Sequence, residues 1–81
     1  MTFDGAVIRE QGVTFAIAMV KRHVIRSSDR DNVQRGLVRY FPGMPIVLMA
    51  EDGSETYGRR DIVQFLEHVH PSQIPWRRYS A

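Results

Sequence analysis

Val13-Thr14-Phe15-Ala16-Ile17-Ala18-Met19-Val20 and Ile46-Val47-Leu48-Met49-Ala50 are two runs with almost no polar side chain. In the first, Phe15, Ile17 and Met19 share one parity, and Thr14, Ala16, Ala18 and Val20 share the other. Side chains alternate between the faces of a strand. A strand apolar at both parities is therefore covered on both sides and lies inside a sheet. Ala16 and Ala18 make one face thin, so a helix can approach it closely. Pro45 introduces the second run, which reads the same way. With a helix between them, the two strands are expected to be parallel and joined by a right-handed crossover.

Ahead of the first run, Ala6-Val7-Ile8-Arg9-Glu10 reads as a strand, and Gln11-Gly12 supplies the turn of a β-hairpin. Ser27-Ser28-Asp29-Arg30-Asp31 starts a helix, with a serine cap and acids in the first turn, where the helix dipole favours them. The spacing predicts a helix over 29–40 with Val33, Leu37 and Phe41 (or Tyr40) as its buried stripe. Gly36 costs up to ~1 kcal/mol inside that helix and suggests close packing on the thin strand face. Phe41-Pro42-Gly43 ends the helix. After the second run, Glu51-Asp52-Gly53-Ser54 turns the chain into a short returning strand, Glu55-Thr56-Tyr57. A helix over 59–69 follows, with Ile62, Phe65, Leu66 and Val69 on one face, and Pro71 stops it. Residues 72–81 are expected to be an irregular tail. The predicted fold is an α/β (α+β) sandwich of two or three layers, ββαββα, with a four-stranded mixed sheet and two helices. One domain covers 1–81, with a compact core at 1–71 and a Trp/Arg/Tyr tail at 72–81.

Composition narrows the function classes. The chain has 81 residues, 43% of them hydrophobic and 25% charged, which is ordinary for a globular domain. No apolar run approaches the roughly 20 residues that span a bilayer, and Met1 to Gly5 does not read as a signal peptide. The absence of cysteine excludes disulfides, thiolate metal sites and thiol chemistry. A cytoplasmic protein is the expectation. A chain this short has a thin stability margin, and association of two copies is one way to widen it. Eleven basic residues against nine acidic give a net charge of +2, too small to imply nucleic-acid binding by itself. Lys21 is the only lysine. That arginine bias is what a GC-rich bacterial genome supplies.

Met44-Pro45-Ile46-Val47-Leu48-Met49, the Glu51-Asp52-Gly53 turn, Thr56-Tyr57-Gly58 and Asp61-Ile62-Val63-Gln64-Phe65-Leu66 together resemble the second half of the thioredoxin-like fold, in its glutaredoxin and glutathione-transferase N-terminal versions. There a proline opens a buried strand, and a tight turn and a short antiparallel strand lead into a helix. The resemblance implies a cis peptide before Pro45 and a peptide- or glutathione-facing surface at Pro45 and Gly58. The chain departs from that family in three ways. It has no cysteine, it carries Gly58-Arg59 where the transferases place Glu-Ser, and it begins with a hairpin. About a third of the chain is covered, and no redox activity is carried over.

The chemistry-bearing residues mostly have structural readings. His68 and His70 are not at the i, i+3 or i, i+4 spacing of helical metal ligands, and His23 is remote, so no metal and no cofactor is expected. Asp29 and Asp31 cap a helix, and Glu51 and Asp52 sit in a turn. Ser27 and Ser28 lack a nucleophile elbow, and no glycine-rich phosphate loop occurs. No catalytic residue is assigned and the chain is not expected to be an enzyme. Ile74, Trp76 and Tyr79 are candidate interaction residues, since an apolar tail folds onto its own core or a partner. Arg22, Arg26, Arg59, Arg60, Arg77 and Arg78 are candidates for anion or nucleic-acid contact, where arginine interleaved with aromatics holds single strands. The leading expectation is a small non-catalytic interaction module acting as a homodimer or on another protein. The alternatives are a nucleic-acid- or phosphate-binding protein, and a redox-inactive thioredoxin-like domain with a ligand pocket at Pro45 and Gly58.

Overall fold

The computed structural model describes residues 2–80. In chain order the elements are β1 (Thr2–Glu10), β2 (Val13–Val20), α1 (Arg22–Ile25), α2 (Arg30–Gly36), β3 (Ile46–Ala50), β4 (Thr56–Tyr57), α3 (Arg60–Leu66) and β5 (Arg77–Ser80). Single 3-10 turns at Leu37–Arg39 and Pro71–Gln73 follow α2 and precede β5. The strands form one mixed sheet in the order β4-β3-β2-β1-β5. As the two-sided apolar pattern predicts, β2 and β3 lie inside the sheet, as β1 also does, and they run parallel to each other, Ala16 beside Ile46 through Val20 beside Ala50. The other neighbouring pairs, β1 with β2, β1 with β5 and β3 with β4, are antiparallel.

Helical layers cover both faces of the sheet. Phe15, Ile17, Val47 and Met49 pack under Ile62 and Leu66 of α3 and under Ile74. On the other face Ala16, Ala18, Leu48 and Ala50 pack under Ile25, Leu37 and Phe41. The domain is thus a three-layer α+β sandwich. The Gln11-Gly12 turn closes on Glu10 and Val13 with both turn residues at positive φ, 51° and 79°, as a two-residue hairpin requires.

Several sequence expectations are corrected. The sheet has five strands: the tail is a 3-10 turn and strand β5, which pairs Thr2 to Gly5 of β1 with Ser80 to Arg77. The α-helix predicted over 29–40 spans Arg30–Gly36 and tightens to 3-10 geometry at Leu37–Arg39. A separate one-turn helix, α1, precedes it and buries Ile25. Helix α3 ends at Leu66, short of Val69. Gly36 does not serve close packing, since a Cβ there would meet open space. Gly5 takes that part on the same face, because a Cβ would lie 3.1 Å from the rings of Phe41 and Tyr79. No peptide bond among the described residues is cis, so the bond before Pro45 is trans.

Tyr79 anchors β5. Its ring stacks on Phe3 at 5.3 Å and meets the edge of Phe41 at 5.0 Å, above the bare backbone of Gly5. Aromatic rings over a strand glycine restore the contact that the missing side chain would have made.

Candidate functional site

The six candidate arginines do not form one basic surface. Arg22 of α1 pairs with Asp52 and lies 3.9 Å from Glu55, and Arg26 pairs with Glu55 at 3.0 Å. These pairs bind α1 to the turn between β3 and β4. Arg59 pairs with Asp61 at 2.8 Å, and Arg78 pairs with its cross-strand neighbour Asp4 at 3.0 Å. Arg60 and Arg77 form no ion pair among the described residues. Arg59 and Arg60 stand beside β4 and Arg77 and Arg78 lie on β5, at opposite edges of the sheet. Four strand spacings separate those edges, roughly 19 Å. The six arginines therefore do not converge on one patch, and four of them already face a carboxylate. Sequence could not show this, because Asp52 and Glu55 lie 30 and 29 residues beyond Arg22 and Arg26.

The tail residues go to the chain's own core. Ile74 is buried beneath α3, and Trp76 packs beside it and donates its indole N–H to the carbonyl of Pro71 at 2.9 Å. Gly58 lies against β3, with a Cβ there only 2.9 Å from Val47 Cγ2, so its bareness serves packing. The carbonyl of Pro45 accepts the N–H of Ala16 at 2.9 Å. Neither Pro45 nor Gly58 lines the surface clefts of about 520 and 230 Å³.

The titratable groups serve local structure. Asp52 accepts the hydroxyl of Ser54 at 2.6 Å and its N–H at 3.0 Å, with Arg22 alongside. Those hydrogen bonds from Ser54, then Arg22, lower its carboxyl from an ordinary 3.8 to about 2. A carboxyl lowered in the folded state stabilises the fold above its unfolded pKa and ceases to do so as pH falls through the folded value. The stability advantage of the wild type over Asp52→Asn is therefore expected to be full at pH 5 and to vanish near pH 2, measured by urea unfolding at both. Tyr57 donates its hydroxyl to Asp31 at 2.5 Å, which raises its pKa, while the Arg30 guanidinium stacks 4.0 Å above its ring. Together they tie α2 to β4. His70 Nδ1 accepts the N–H of Ser72 and caps the 3-10 turn before β5. No group of three or more His, Cys, Asp or Glu able to hold a metal occurs among the described residues, and none of their polar side chains is buried.

One surface escaped the sequence reading. Among the described residues Val7 and Val38 are the large apolar side chains left exposed, 43% and 49%. Val7 of β1 stands beside Ala16 of β2, which stands beside Ile46 of β3, in one row across the sheet. Phe3, of the same parity as Val7, belongs to the Ala16/Leu37/Phe41 core, so Val7 is on that face. Val38 shares a shallow depression of about 230 Å³ with Met44, Ile46 and Arg35. The two valines thus flank one apolar row about 10 Å wide, two strand spacings. Arg35 lines the depression, Arg9 follows Val7 at the same parity of β1, and Arg39 adjoins Val38 in the chain; all three are exposed and form no ion pair among the described residues. A valine placed off the helix stripe was the available signal.

Comparison with protein-family models, curated proteins and solved structures finds no match to this chain. Among the described residues no helix is long and apolar enough to cross a membrane.

Proposed function

We propose that this chain is a non-catalytic interaction module that forms a homodimer through the face bearing Val7 and Val38. The observation that carries the reading is the joint exposure of those two side chains on one face of an otherwise well-covered sheet. Two apolar points on one face suit a two-fold contact, in which Val7 of each copy meets Val38 of the other. Burying them adds the free energy that so short a chain lacks. The free strand edges are poorer candidates. Strand β4 has two residues, and β5 carries Arg77 and Arg78, the kind of charge that discourages edge pairing.

The arginine border gives the contact a signature. Arg9, Arg35 and Arg39 of the two copies would approach one another, so added salt screens a repulsion and tightens the dimer. Contact with nucleic acid through the same arginines would weaken with salt. On serial dilution, amide resonances of Val7, Val38 and Met44 are expected to shift together while those of α3 stay fixed. Concentration-independent spectra would remove the proposal.

A further inference from the structure

Strands β1 and β2 pair from Glu10/Val13 only as far as Gly5/Ala18. Both strands continue beyond that point, β1 to Thr2 in partnership with β5 and β2 to Val20 in partnership with β3. The sheet therefore splits at this end, and a cleft of about 520 Å³ opens between the two strand pairs. Phe3 stands on one wall and Met19 and Val20 on the other, with Val24 of α1 and Val33 of α2 beside them. A cleft of this volume is in the range that holds small molecules.

Its place in the topology favours a ligand. The cleft lies outside the carboxyl ends of the parallel strands β2 and β3. Crevices outside strand carboxyl ends are where open α/β sheets bind ligands.

The charges at the mouth narrow the chemistry. Asp4 and Arg78 satisfy each other. Lys21 and Glu51 follow directly on Val20 and Ala50, which are register partners, so they leave adjacent strand ends about 5 Å apart. Both line the cleft, both are exposed, and neither forms an ion pair among the described residues. An anion alone would face Glu51, and a cation alone would face Lys21. A molecule with both charged groups on one carbon answers both residues, and the remaining wall is largely apolar. We infer that the cleft binds a free α-amino acid with a large apolar side chain. Its carboxylate is held by Lys21, its ammonium by Glu51, and its side chain lies among Phe3, Val20, Val24 and Val33.

Titrating the labelled protein with leucine, phenylalanine or methionine, followed by amide chemical shifts, tests this directly. Saturable shifts are expected at Phe3, Val20 and Val24. Isoamylamine lacks the carboxylate, 4-methylpentanoate lacks the ammonium, and serine lacks the apolar side chain. Each is expected to bind about tenfold more weakly or worse, as are the amino acids to Lys21→Gln and Glu51→Gln. Both residues are exposed, so the variants keep the wild-type spectrum. The inference is overturned if no apolar amino acid saturates the shifts, if the amine or the acid binds as well as leucine, or if the shifts map elsewhere.

Discussion

Cutting the chain after Pro75 is expected to abolish the cooperative fold at room temperature. Removing 76–81 deletes β5 and bares the edge of β1 from Thr2 to Gly5. Trp76 leaves the core under α3, and Tyr79 leaves Phe3 and Phe41 on the other face. Loss of a packed aromatic side chain costs about 3–5 kcal/mol. Two such losses approach the whole stability of a domain this size, roughly 4–12 kcal/mol at the usual ~0.05–0.15 per residue. Circular dichroism through a urea titration reads the result. A truncated chain with an unchanged midpoint would show that β5 contributes nothing to the fold.

Phe41→Ala is the single substitution expected to cost most, about 3–5 kcal/mol. Phe41 is 1% exposed and fills the space over Gly5 between the end of the 3-10 turn and β5. Its edge-on contacts with Tyr79 at 5.0 Å and Phe3 at 6.2 Å make the three rings one unit. The cost should therefore not add to that of Tyr79→Leu. A double-mutant cycle by urea unfolding is expected to return a coupling of about 1 kcal/mol. Strict additivity would mean that the rings act independently and that Tyr79 holds β5 by backbone pairing alone.

The interior of this fold is legible in the sequence because few arrangements bury both parities of a strand. Phe15/Ile17 against Ala16/Ala18, and Val47/Met49 against Ile46/Leu48, dictate two central strands with a layer on each side, and the structure has both layers. The helix stripes at Leu37 and Phe41, and at Ile62 and Leu66, follow from spacing in the same way. Edges are harder. Strand β5 reads Arg-Arg-Tyr-Ser, with one apolar side chain in four, and becomes a strand only because β1 offers a free edge and Gly5 leaves room for Tyr79. Helix α1 is one turn long and buries only Ile25, too little for a periodic signal. The arginines looked alike in sequence. What separates Arg22, Arg26 and Arg78 from Arg35 and Arg39 is a carboxylate brought near by the fold. Exposure of Val7 is equally a tertiary outcome, since helices α1 and α2 are too short to cover the whole face on which it stands.

Sedimentation equilibrium across salt concentration, read at 260 and 280 nm, tests the central claim most directly. The wild-type chain is expected to sediment as a dimer free of nucleic acid and to associate more tightly as salt rises. The double variant Val7→Lys, Val38→Glu is expected to be a folded monomer. A wild-type monomer at every salt concentration would contradict the account. So would a dimer indifferent to both substitutions, or a species that carries absorbance at 260 nm until salt strips it away.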